Sequence, residues 1–195
     1  MIIFKKIKIL HKITLLVLSI IISSCSLENE DQPNSNVKNS DNKIIEGKTI
    51  YIVGDSYNEN NEYTSCYWVN GERVELPGGY TATDIVVSNG NVYTSGIANG
   101  ACYWINQQRY DLPGNGGEAE AIAVDGEDIY VAGWYNNGSC YWKNGQRIDL
   151  TVNRDSQAFA IGVRDNGSIY VGGFYINNHH YYIPCFWKDG NNRTN

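Results

Sequence analysis

The strongest constraint on how this chain can fold is that it repeats itself. A cysteine–aromatic–tryptophan mark occurs four times, at Cys66-Tyr67-Trp68, Cys102-Tyr103-Trp104, Cys140-Tyr141-Trp142 and Cys185-Phe186-Trp187, in steps of 36, 38 and 45 residues. A second mark travels with it: Tyr51-Ile52-Val53-Gly54, Tyr93-Thr94-Ser95-Gly96, Tyr130-Val131-Ala132-Gly133 and Tyr170-Val171-Gly172-Gly173. A third, made of small and apolar residues, precedes the later copies at Ala82–Val87, Glu120–Val124 and Ala158–Val163. Three marks held in phase at a period of roughly 40 residues mean one supersecondary unit, copied, that hides its apolar faces only against its neighbours.

Each copy contains four short strand signals. In the third these are the small, apolar run Ala121–Val124, then Ile129–Gly133, rich in β-formers, then Cys140–Trp142 and Arg147–Leu150. Asn89-Gly90, Asp125-Gly126 and Asn166-Gly167 join the first two strands, while Asn70-Gly71, Asn144-Gly145 and Asp189-Gly190 join the last two. Such pairs supply the positive φ angles of type I′ turns and mark hairpins; Asn106-Gln107 is the weaker exception. No segment holds a 3.6-residue period for ten residues, so the fold class is all-β: tandem four-stranded antiparallel repeats, the signature of a β-propeller. The first copy begins at its second strand and the last stops short, so the strands number about 14, a partial β-propeller of about 3.5 blades. Three readings follow: a truncated propeller, which is preferred; a small ring closed imperfectly; or half of an oligomeric ring.

The repeats occupy residues 48–195. Residues 1–24 read as a signal peptide, with basic Lys5, Lys6, Lys8 and Lys12 before an apolar run, Ile13–Ser23, too short for the ~20 residues of a membrane-crossing helix. The run ends in Ile22-Ser23-Ser24-Cys25, which resembles a bacterial lipobox. That resemblance implies lipidation of Cys25 and a membrane anchor of several acyl chains. Residues 25–47 hold too little apolar surface to fold and read as a tether. Glu28, Glu30 and Asp31 resemble the export signal of Bacteroidetes surface lipoproteins. The implied location is the cell envelope, on the outer membrane of a Gram-negative bacterium, with surface display as an extension. Of 15 basic residues four lie in the leader, leaving 11 against 21 acidic ones, about −10 net; this argues against nucleic acid as a partner.

The repeat itself resembles the bacterial propeller-repeat lipoproteins, most closely in Tyr141-Trp142-Lys143-Asn144-Gly145 and Tyr130-Val131-Ala132-Gly133. That resemblance implies a fold and no chemistry.

In such a meander, tight turns lie on one face, and the second-to-third loops and inter-unit links on the other. The long loops are predicted at Asp55–Ser65, Ile97–Ala101, Trp134–Ser139 and Phe174–Pro184. A rigid scaffold places binding residues on such loops. The candidate binding face is therefore Asp55, Tyr57, Glu59, Glu62, Tyr63, Trp134, Tyr135, Tyr175, His179, His180 and Tyr181. Aromatics beside Asn and Asp suit stacking on sugar rings, so a glycan is one possible ligand and a protein another; solvated loops without a ligand are the plain alternative. The cysteines read as buried packing residues with no disulfide or metal role, since Cys140 and Trp142 share a strand face. His179 and His180 point opposite ways in an extended chain, so no metal or other cofactor is expected. Asp55, Glu59, Glu62, Glu118, Glu120 and Asp155 are the carboxylates a glycosidase would need. The expectation is a non-catalytic envelope lipoprotein with a binding face; the rivals are an envelope carbohydrate-active enzyme and a non-functional fragment of a longer protein.

Overall fold

The computed structural model describes residues 2–4, 49–114, 116–136, 138–150, 155–190 and 192–194. Cys25 and the tether lie outside the described residues. Among the described residues every regular element is a strand, and the sixteen strands form four sheets of four. No helix of the described residues is long and apolar enough to cross a membrane.

The first sheet is β1 (Ile2–Phe4), β2 (Ile50–Tyr57), β3 (Tyr63–Val69) and β4 (Glu72–Glu75). The second is β5 (Thr81–Ser88), β6 (Asn91–Ile97), β7 (Ala101–Ile105) and β8 (Gln108–Asp111). The third is β9 (Glu118–Asp125), β10 (Asp128–Tyr135), β11 (Gly138–Lys143) and β12 (Gln146–Asp149), and the fourth β13 (Ser156–Val163), β14 (Ile169–Ile176), β15 (Tyr182–Lys188) and β16 (Asn192–Thr194). The strands of each sheet follow chain order. The tandem antiparallel units expected from the repeat are therefore present.

Two details differ from the sequence expectation. The last unit has a fourth strand, because β16 pairs with β15 through Phe186↔Thr194 and Lys188↔Asn192. In the first unit, where the sequence offered no first strand, β1 from the segment read as leader lies parallel to β2 with Ile2 opposite Ile50.

The turns also divide. Asn70-Gly71, Asn144-Gly145 and Asp189-Gly190 have positive φ at both residues, as type I′ requires. At 106–107 only Asn106 is positive, and at Asp125-Gly126 and Asn166-Gly167 only the glycine is. Asp125 stays in its strand, opposite Asp128, which shifts that turn one residue along. The first residue of each third-to-fourth turn has a second task that its sequence did not reveal. Asn70, Asn106, Asn144 and Asp189 accept, through Oδ1, the backbone N–H of Ile50, Val92, Ile129 and Ile169 at 2.9, 3.0, 2.8 and 2.9 Å. Their own N–H groups donate back to the carbonyls of the same four residues. The turn is thus sewn to the start of the second strand in every unit.

Each of the later units carries a β-bulge at one place. Thr83, Glu120 and Phe159 are the extra residues, and Gly96, Gly133 and Gly173 face the residue just before each bulge. The glycine is needed because the first strand's main chain presses on it: a Cβ at Gly96, Gly133 or Gly173 would run into the carbonyl oxygen of Thr81, Glu118 or Gln157.

The core lies between sheets. Alternation along the third strand sends cysteine and tryptophan to one side and tyrosine to the other. Cys102 and Trp104 pack with Val53, Tyr67 and Leu76 of the unit before. Cys140 and Trp142 pack with Tyr103 and Leu112, and Trp187 with Tyr141 and Leu150. Two of the buried indoles also meet the preceding link: Trp104 Nε1 donates to Pro77 O at 3.2 Å and Trp142 Nε1 to Pro113 O at 3.1 Å. Polar ties reinforce the junctions, with Thr83 Oγ1 donating to Ala119 O at 2.7 Å and the buried Asp84 carboxylate accepting from Ile122 N at 3.2 Å. The four described cysteines are free thiols. Burial pushes those of Cys102 and Cys140 up to about 12, in keeping with packing and not nucleophilic use.

Candidate functional site

The second-to-third loops are shorter than expected. Three span residues 58–62, 98–100 and 177–181 and the other connects Tyr135 to Gly138, because the flanking aromatic runs continue as paired strand: Tyr57 faces Tyr63, Tyr135 faces Gly138 and Tyr175 faces Ile183. Asp55, Tyr57, Tyr63, Trp134, Tyr135 and Tyr175 are therefore strand residues near the loop end, not loop residues. The loops and links do gather at that end: Ser65 N donates to Gly79 O at 3.3 Å, and Tyr135 packs on Gly114.

The first and fourth loops are built alike. Asn58 Oδ1 accepts from the N–H of Asn60 and Glu62 at 3.0 and 2.9 Å, and Asn177 Oδ1 accepts from His179 and Tyr181 at 2.9 and 3.0 Å. Asn61 and His180 take the positive φ position in each, both at 62°. The loops thereby hold Glu59 and the pair His179–His180 out in solvent. Glu62 is tied back, accepting from Asn58 Nδ2 at 3.0 Å.

Two places at the loop end gather side chains: the first joins three of the candidate residues, and the second includes one of them, Trp134. In the first, the rings of Tyr57, Tyr63 and Tyr80 form an exposed edge-to-face chain with centroids 5.4 and 5.5 Å apart. Asp55 anchors it: Oδ2 accepts from the Tyr63 hydroxyl at 2.6 Å, and Oδ1 accepts from Ala82 N of the next unit at 3.1 Å. The hydrogen bond to Asp55 stabilises the protonated phenol and, with some burial, raises Tyr63 to about 12. Tyr80 belongs to the first inter-unit link and was not among the sequence candidates, since the fold back of that link onto β3, where Ser65 N donates to Gly79 O at 3.3 Å, is what brings it beside Tyr63.

The second group is a cleft of about 270 Å³ where the third and fourth units meet, lined by Trp134, Asp155, Ser156, Gln157, Phe174, Ile176 and Tyr182. Phe174 and Tyr182 meet edge-to-face at 4.8 Å. Ser156 is committed to structure, accepting from Ser139 N at 2.9 Å, whereas Asp155 and Tyr182 are exposed. Sequence reading picked out Trp134 but not Phe174, Gln157 or Tyr182. Treating 174–184 as one loop hid the alternation that turns Phe174, Ile176 and Tyr182 toward the cleft. Tyr175, one residue out of phase, is only 7% exposed. Tyr135 leaves the cleft as well, lying under the Arg147 guanidinium at 4.5 Å.

Two other clefts are less apt. One of about 400 Å³ is lined by Arg109, Asp111 and the main chain around Gly100 and Gly114, but Arg109 is already paired with Asp111 at 3.0 Å and donates to Gly78 O at 2.9 Å. The other, of about 330 Å³, is an apolar opening among β5, β9 and β13. Among the described residues no three His, Cys, Asp or Glu side chains are placed to hold a metal ion. The carboxylates are spread over different units: Asp55 holds Tyr63 and Ala82, Glu62 holds Asn58, Glu120 is buried in a bulge, and Asp155 lines the cleft. What the cleft offers chemically is flat apolar rings beside a carboxylate and an amide, an arrangement for binding. No protein-family model, curated protein or solved structure matches this chain.

Proposed function

We propose that this chain is an envelope lipoprotein, anchored through Cys25, whose four sheets are the blades of a partial β-propeller and whose loop end binds carbohydrate. Cleavage before Cys25 would remove β1, so the mature domain would keep fifteen of the sixteen described strands: three whole blades and three strands of the first. The observation that carries the binding assignment is the cleft at the third junction, where Trp134, Phe174 and Tyr182 line a space with Asp155 and Gln157. Aromatic faces cover the apolar C–H surface of a sugar ring while a carboxylate and an amide take its hydroxyls, the division of labour usual in small-molecule sites. The exposed Tyr57–Tyr63–Tyr80 chain extends the same aromatic character to the first junction. A net charge of about −10 on the displayed part favours neutral sugars over polyanions.

The binding assignment is tested by titrating the protein with neutral oligosaccharides from envelope and host glycans while following tryptophan fluorescence and heat. Saturable binding that Trp134→Ala abolishes and Glu59→Gln leaves intact supports it; the absence of binding across such a panel overturns it. Anchoring is tested separately by labelling growing cells with a fatty-acid probe, where the label should vanish in Cys25→Ser.

A further inference from the structure

The two ends of the repeat domain present the two halves of an interface that the domain builds three times within itself. Every internal junction sets the tyrosine side of one unit against the cysteine–tryptophan side of the next. Among the described residues, no unit lies against the first unit's cysteine–tryptophan side. Ile52 is 42% exposed there, while Val131 and Val171 at the same position are 1% and 0% exposed. Trp68 is half-buried, while the other three tryptophans of the mark are fully buried.

The fourth unit's tyrosine side is open in the same manner. Phe186 is 40% exposed, against 5% for Tyr141. Phe159, at the bulge, is exposed where Thr83 and Glu120 are buried, and Ala160 is exposed where Ala121 is buried. Terminal units of a stack that ends in solvent carry a polar outer face. These two ends keep the apolar residues of the internal junctions instead.

We propose that the open side of the fourth unit docks on the open side of the first unit of a second copy, head to tail. A second copy fits because the contact continues the internal junctions: Phe186 replaces Tyr141, and Ile52 with Trp68 replaces Val171 with Trp187. Such a contact is heterologous, using two different surfaces, and closes into a ring when the rotation allows. It buries Ile52 and Phe186, each on a different molecule, in one interface.

The test uses the full chain, extracted in mild detergent and sedimented from low to high micromolar concentration. The wild type should form assemblies of two or more chains, and Ile52→Asp and Phe186→Asp should each reduce it to single chains with an unchanged far-ultraviolet spectrum. Ile52→Ser and Phe186→Ser serve where an aspartate variant loses that spectrum. An equimolar mixture of the two variants should recover assembly, because each retains the half the other lacks. A wild type that stays a single chain at high micromolar concentration overturns the proposal, as do variants that assemble like the wild type. A mixture that stays dissociated also overturns it, since that outcome belongs to a symmetric contact using one surface twice.

Discussion

The middle and the ends of this molecule are written in the same residues and live in different environments. Trp104 and Trp142 are fully buried between sheets and donate to Pro77 and Pro113 of the preceding link, while Trp68 occupies the same place in its strand and is only half-buried. Tyr103 and Tyr141 are buried, and Phe186 is not. A side chain in this fold is therefore stabilised by the neighbouring unit more than by its own, and a repeat position has no fixed energetic value until its neighbour is named. Hydrogen bonds confined to one unit, such as the Asn144 Oδ1 bond to Ile129 N, recur with nearly unchanged geometry from first unit to last.

The sharpest way to break this comparison is to truncate the tryptophans. Trp142→Ala should cost about 3–5 kcal/mol in denaturant unfolding, the usual range for a buried aromatic, and Trp68→Ala clearly less when measured in dilute protein. Equal losses would contradict the account. Next in size are the glycines. Gly133→Ala should cost about 1–3 kcal/mol, because the new Cβ meets the Glu118 carbonyl and the main chain must move. Gly54→Ala should cost under about 1 kcal/mol, since its nearest atom beyond neighbouring residues is a Trp68 ring carbon at 3.4 Å. A control for the opposite outcome is the turn residue. Asn144→Gly and Asn70→Gly both keep a residue that tolerates positive φ and lose the Oδ1 acceptor, so each should cost about 1 kcal/mol, middle and end alike.

The titrating groups give smaller effects with a definite sign. Cys102 and Cys140 hold their protons up to about 12 when folded, against about 8.5 for a free thiol. The folded chain then binds more protons than the unfolded one over that interval. Stability from these thiols is fully present below about pH 8.5 and declines as pH rises toward 12. Thiol labelling at pH 8 should modify Cys185, which is partly exposed, well before Cys102 or Cys140. At the first junction, Asp55→Asn should lower the Tyr63 phenol from about 12 toward the ordinary value near 10, read by ultraviolet titration; a phenol that stays put would show that Asp55 is not its cause.

Much of this architecture was legible in the sequence, because a period of roughly 40 residues with an alternating Cys-Tyr-Trp mark has few ways to bury itself. The two sides of the third strand could be assigned from Cys140, Tyr141 and Trp142 alone. The site was less legible. Asn177-Asn178-His179-His180 contains no glycine, so the loop around it looked longer than the five residues it has, and Phe174 and Tyr182 were lost in it. Tyr80 and Asp84 act across junctions, and no local pattern in the sequence signals a partner some 20 or 40 residues away. The second duty of Asn70 and its counterparts was masked by the first, since a residue chosen for positive φ already explains itself.

The central claim is that one interface, repeated, holds the domain together and that its two terminal copies are open. Amide hydrogen exchange at two protein concentrations tests it most directly. In dilute protein, β7 and β11 should exchange slowest, with β2–β3 and β14–β15 faster, and only the terminal strands should gain protection on concentration. Terminal strands as slow as β7 and β11 in the dilute sample would contradict the account.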